Sequence, residues 1–129
     1  MRPEQAMWRK VSKAFGPEIH ATRVEASTGE VETGVPDVVF AWRSRMRWIE
    51  LKVWPEPVRP SQRAWALTHD QRMCDPVLLL CEVPRQKIFY LMKLYLYDRA
   101  QEVDDLDLLA RTALWSGPLS KIREILSII

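Results

Sequence analysis

Gly34-Val35-Pro36-Asp37, Val38-Val39-Phe40-Ala41-Trp42, Arg43-Ser44-Arg45-Met46 and Arg47-Trp48-Ile49-Glu50-Leu51-Lys52-Val53-Trp54 run on from one another, and this stretch decides the fold. Val38 to Trp42 and Arg47 to Trp54 are rich in β-branched and aromatic residues, which suit strands. The four residues between them, Arg43 to Met46, are short and mostly polar, as a hairpin loop requires. The two strands are therefore expected to pair antiparallel. Asp37, at the start of the first, then lies near the later part of the second.

Side chains alternate across a strand. Glu50 and Lys52 thus share a face with Trp48 and Trp54, and Ile49, Leu51 and Val53 point to the opposite, core-facing side. Charges in an apolar strand are costly without partners. Asp37 on the same side gives two carboxylates and one ammonium in a small space. Two carboxylates can hold a hard divalent cation such as Mg²⁺ or Mn²⁺, which takes oxygen ligands and leaves positions for water and substrate phosphate. The lysine can orient water or offset developing charge. Taken alone, a Glu-x-Lys pair is an ordinary surface ion pair, and Pro-Asp before a strand is an ordinary turn. Their order and hairpin spacing carry the argument.

Gly34-Val35-Pro36-Asp37 followed by Ile49-Glu50-Leu51-Lys52 resembles the signature of the PD-(D/E)xK nucleases. The closer resemblance is to the VRR-NUC branch, including its small stand-alone phage and bacterial members. Ser61-Gln62-Arg63-Ala64-Trp65 is similar to that branch's Gln-x-x-Trp element. Glu4, ahead of Met7-Trp8, is similar to its N-terminal acidic element. The resemblance spans roughly residues 4 to 92. It implies a restriction-endonuclease-like α/β (α+β) core, with a mixed sheet and helices packed on it. It also implies catalytic roles for Asp37, Glu50, Lys52, Gln62 and Glu4, with metal on Asp37 and Glu50, and branched DNA as substrate. A site of the same composition also serves nucleases of ends, flaps or nicks, and a fold of this kind without activity would be a DNA-binding module.

Composition is compatible with this. The chain has 129 residues, 47% hydrophobic and 28% charged, and is expected to form one nuclease domain, with a core over about 4–92 and a helical extension over about 98–129. No membrane-length apolar run or signal-peptide pattern is present, so a cytoplasmic protein is expected, and the resemblance implies a bacterial or phage-infected host cell. Cys74 and Cys81 lack metal-ligand spacing, which argues against zinc. The net charge of +2 is small. Its distribution is uneven: residues 1–97 carry fifteen Lys/Arg against eleven Asp/Glu, with Arg43, Arg45, Arg47, Arg59 and Arg63 around the hairpin, and residues 98–107 carry five acids against one Arg. Arg23, Arg43, Arg45, Arg59 and Arg63 are the candidates for DNA phosphates, although any one of them also suits a plain solvated face.

Outside the central stretch, Pro3 to Phe15 reads as a helix stopped by Gly16-Pro17, and Glu18 to Glu25 as a strand carrying His20, which is more simply an exposed residue than a catalytic one. The glycine-bearing segment from Ser27 to Gly34, with Glu30 and Glu32, reads as a loop bordering the site. Three prolines between Pro55 and Pro60 make a stiff connection. A helix capped by Ser61 follows to about Met73, with Gln62, Trp65 and His69 on one face. Val77 to Val83 reads as a strand buried on both sides and Lys87 to Met92 as another, with Tyr95 to Tyr97 a possible continuation. A helix is expected from the acidic segment at 98–107 to Trp115, and a last amphipathic helix after Ser120. That last helix suits either its own sheet or a homodimer interface.

Overall fold

Hydrophobic periodicity resolves into one six-stranded sheet with helices on both faces. The structure, a computed structural model, describes residues 3–24, 34–72 and 75–129. The expectations for Glu25, for the segment from Ser27 to Thr33 with Glu30 and Glu32, and for Cys74 lie outside the described residues. The order is α1 (Pro3–Phe15), β1 (His20–Arg23), β2 (Val38–Trp42), β3 (Arg45–Val53), α2 (Pro60–Arg72), β4 (Leu78–Val83), β5 (Ile88–Lys93), α3 (Leu94–Glu102), α4 (Leu106–Thr112), β6 (Trp115–Gly117) and α5 (Ile122–Ile128). The strands lie in sequence order across the sheet. Only β3 and β4 are parallel, joined through α2 as a parallel pair requires; the other neighbours are antiparallel.

The two faces of β3 and β4 carry separate cores. Ile49, Leu51, Leu78 and Leu80 pack under Met7, Val11 and Phe15 of α1 and Ile122 and Leu126 of α5. Leu79, Cys81 and Met92 pack on the other face with Ala66 of α2, Tyr97 and Ala100 of α3 and Leu109 of α4. Continuous burial from Val77 to Cys81 is what a strand covered on both faces shows in sequence. The C-terminal helix thus packs on its own sheet. No helix among the described residues is long and apolar enough to cross a membrane.

Four local expectations are corrected. The hairpin turn has two residues, Arg43 and Ser44, both at positive φ (53° and 64°), and β3 begins at Arg45. Paired positive φ values give the turn a twist that matches the strands, and neither Arg nor Ser advertises it. The second helix starts at Pro60, the first-turn position that tolerates a missing N–H, so Ser61 lies inside the helix. Tyr95, Leu96 and Tyr97 belong to α3 and do not extend β5. Their β-prone side chains are overruled because a helix buries Leu94, Tyr97, Asp98 and Ala100 on one side. The helix expected up to Trp115 is interrupted by Asp104 at φ 50°. Asp105 then caps α4 by accepting from Asp107 N–H and Leu108 N–H, and Trp115 to Gly117 forms an edge strand on β5.

The hairpin face fits the alternation. Ile49 and Leu51 are in the core under α1, whereas Trp48, Glu50, Lys52 and Trp54 face α2 and α3. Arg45 and Arg47, on the α1 side, both donate to the Ile129 carbonyl, Arg47 at 2.9 Å, and Arg45 also pairs with Asp75 at 2.6 Å. Burial lowers the Arg47 pKa.

A candidate carboxylate and lysine site

The register places Val38 opposite Ile49, so one step further back Asp37 comes level with Glu50. Asp37 N–H donates to Glu50 Oε1 at 3.0 Å, and Leu51 N–H donates to Asp37 Oδ2 at 2.9 Å. Each acid therefore takes a main-chain donor from the opposing segment. This fixes both side chains with little rotamer freedom. Glu50, Lys52 and Gln62 are 1%, 3% and 3% exposed.

α2 supplies the third contact. The Gln62 amide nitrogen donates to Glu50 Oε2, and its oxygen accepts Arg59 N–H at 2.9 Å. One amide thus holds the start of α2 and orients the carboxylate. Gly34 permits this approach. It has φ +75°, and a Cβ there would lie 2.0 Å from the Ser61 carbonyl oxygen. Trp65 meets Trp48 edge to face at 5.1 Å and stacks on His69 at 5.3 Å, anchoring α2 to the sheet. Gln62→Ala is expected to lower the unfolding free energy by about 1–3 kcal/mol, because it leaves buried groups on Glu50 and Arg59 without their partner. Urea denaturation of the two proteins measures it, and equal midpoints would contradict the tie.

Electrostatics mark the pair. Burial, with the Asp37 carboxyl hydrogen-bonded beside it, pushes the Glu50 carboxyl up to about 10, against the opposing pull of Lys52. Two acids held this close favour either a shared proton or a cation. Their donors are hard oxygens, which suits Mg²⁺ or Mn²⁺. No group of three or more His, Cys, Asp or Glu gathers among the described residues. Water, main-chain carbonyls or substrate would complete the shell of an ion held by Asp37 and Glu50.

Lys52 follows two residues after Glu50, and its Nζ lies 3.8 Å from Glu56 Oε2. Glu4, on the first turn of α1, is hydrogen-bonded through its side chain to Glu56. Burial, then that hydrogen bond, pushes the Glu56 carboxyl up to about 7. Glu4 is therefore linked to Lys52 through Glu56. Sequence reasoning overlooked Glu56, because Pro-Glu-Pro reads as a connector. The available signal was its position four residues after Lys52, immediately past the strand.

The candidate DNA-binding arginines separate into groups. Arg23 lies opposite Val38, beside Asp37 in the sheet, and the exposed Arg59 begins the segment that Gln62 holds. Arg43 lies over the Trp42 ring at 5.0 Å. It and Arg45 are at the turn end of the hairpin, some six residues or ~20 Å along the strand from Asp37. Arg63 makes a bidentate pair with Asp98, at 2.5 and 3.0 Å, which raises the Arg63 pKa. His20 is exposed on the edge strand β1.

No protein-family model matches the chain, and no curated protein matches it. Among solved structures, it is similar to Hjc from Archaeoglobus fulgidus, a Holliday junction resolvase from an archaeal hyperthermophile. The match has 20% identity and a TM-score of 0.50, and covers 74% of this chain and 76% of that one. The chain shares the mixed α/β fold of that protein.

Proposed function

We propose that the chain is a Mg²⁺- or Mn²⁺-dependent DNA endonuclease that hydrolyses phosphodiester bonds in branched, Holliday-junction-like DNA. We place it with the PD-(D/E)xK nucleases, in the VRR-NUC branch, as a single nuclease domain. The observation that carries the reading is the pairing of Asp37 with Glu50 on a buried face, two residues from a buried lysine. The motif order and the fold shared with a Holliday junction resolvase support it.

Asp37 and Glu50 would hold the cation. When bound, the cation supplies Lewis-acid polarisation of the phosphoryl group and makes a neighbouring water more acidic. Gln62 keeps Glu50 turned toward Asp37. Lys52 orients the attacking water and offsets the charge that develops on the phosphoryl oxygens. Glu4 supports Lys52 through Glu56. Water is the nucleophile, so the reaction has no covalent enzyme intermediate. Arg23 and Arg59 contact phosphates near the cut, and Arg43 contacts them further along the duplex; Arg45 reaches a phosphate only by leaving Asp75 and the Ile129 carbonyl on the α1 side. Arg63 is offset by its pair with Asp98 and by Glu102 at 3.9 Å, and contacts a phosphate only through the N–H groups those acids leave open. A four-way junction has twofold symmetry, so paired cuts fit a C₂ homodimer.

Substrate choice is tested by cutting a four-way junction, a flap, a nicked duplex and a linear duplex under the same Mg²⁺ or Mn²⁺ conditions. The expected result is symmetric cutting of the junction at least about tenfold faster than the others, a difference of about 1.4 kcal/mol in barrier. Equal rates on all four would assign a general nuclease. Tight junction binding without cutting would assign a binding module.

A further inference from the structure

We propose that Glu56 is a positioning residue for Lys52, and that α3 fixes Glu56 in place to serve it. What Lys52 then does rests on the nuclease reading above, but the placement itself does not.

A buried ammonium requires a compensating group. Glu56 Oε2 faces the Lys52 ammonium at 3.8 Å. The other oxygen, Oε1, accepts Val53 N–H at 3.3 Å, and the Glu4 side chain hydrogen-bonds the same carboxyl. Contacts from β3 and α1 thus hold the carboxyl group.

The main chain is tied as closely. Glu56 N–H donates to the Val53 carbonyl at 2.8 Å, and Trp54 N–H donates to the Glu82 carbonyl at 2.9 Å. From α3, Tyr97 Oη donates to the Glu56 carbonyl at 2.6 Å, and Gln101 Nε2 donates to the Pro55 carbonyl at 3.2 Å. The Tyr97 ring meets Trp54 edge to face at 5.8 Å. Pro55 and Pro57 fix φ on either side. A segment whose only role was to connect β3 to α2 would need none of these ties at residue 56. They bring one acid to the lysine and keep it there.

Glu56 reaches the reaction only through Lys52. Its removal is therefore expected to lower kcat and leave KM and metal affinity unchanged. Glu56→Gln keeps shape and removes charge, and Glu56→Asp keeps charge with a shorter reach. Misplacement of a catalytic group by about 1 Å costs on the order of 10²-fold, so a fall in kcat of about tenfold or more is expected for Glu56→Gln, partly restored in Glu56→Asp. Tyr97→Phe, which removes the hydroxyl on the Glu56 carbonyl, is expected to act in the same direction more weakly.

The test joins steady-state cleavage, calorimetric titration with Mn²⁺, and crystal structures of the wild type and Glu56→Gln. The expected result is a displaced Lys52 side chain, reduced kcat, and unchanged KM and Mn²⁺ affinity. Lys52 unmoved with kcat unchanged would overturn the proposal. Lys52 unmoved with kcat reduced would overturn it too, by making Glu56 act on water or substrate itself. If the wild type cuts no DNA with metal, the nuclease reading fails, and the Lys52 position in the two crystals still decides the positioning role.

Discussion

Glu50→Gln is expected to abolish DNA cleavage, by about 10³-fold or more, and at the same time to stabilise the metal-free protein at pH 8. The folded chain holds the Glu50 proton up to about 10, whereas the unfolded chain releases it near the ordinary glutamate value of 4.5. Between those limits the folded state binds more protons than the unfolded state. Stability is therefore present in full below the unfolded value and is lost as pH rises toward the folded one. By pH 8 the loss attributable to Glu50 is on the order of a few kcal/mol. A Gln side chain has no charge to lose, and this outweighs the one accepted bond, from Asp37 N–H or Gln62, that its amide nitrogen gives up. Thermal unfolding in EDTA from pH 5 to pH 9 measures the effect. The wild type should lose stability steadily, and the variant should lose less. Mn²⁺ should restore stability to the wild type by mass action and leave the variant unchanged. Parallel pH curves for the two proteins would contradict the buried-pair account.

Gly34→Ala is expected to destabilise the protein by about 3 kcal/mol or more, combining a positive-φ penalty of about 1–2 kcal/mol with a backbone clash. The added Cβ would lie 2.0 Å from the Ser61 oxygen, 2.4 Å from its carbonyl carbon and 2.9 Å from the Gln62 nitrogen. These are main-chain atoms at the start of α2, so no side chain can swing aside. Relief requires the Gly34 segment and α2 to separate. That motion pulls Asp37 from Glu50 and Gln62 from its carboxylate partner. The melting temperature should fall by about 10 °C, and cleavage by the remaining folded protein should fall with it. Unchanged melting and activity would show that the two segments are not in contact.

Much of this site was legible because alternation in β3 admits one pairing that buries Ile49 and Leu51. That pairing brings Asp37 level with Glu50. Gln62 was legible only because the run from Gln62 to Trp65 resembles a Gln-x-x-Trp element; its place on the helix by itself reads as an ordinary surface position. The roles of Gly34 and Glu56 were not, because each depends on segments distant in sequence. Gly34 is needed only where the Ser61 main chain passes, and Glu56 becomes a site residue only because Tyr97 and Gln101 hold its turn. The same limit hid α3, where burial of Tyr97 against the sheet outweighs strand propensity. It also hid β6, whose three residues are too few to show a period.

The central claim is that Asp37 and Glu50 form the metal-dependent cutting site of a DNA endonuclease. Its most direct test is a four-way junction labelled on each strand in turn, incubated with Mg²⁺ or Mn²⁺ or with EDTA, using the wild type and Asp37→Asn. The account predicts cuts that require the metal and vanish in the variant while its fold persists. Cutting that survives EDTA, or that Asp37→Asn performs at the wild-type rate, would contradict it.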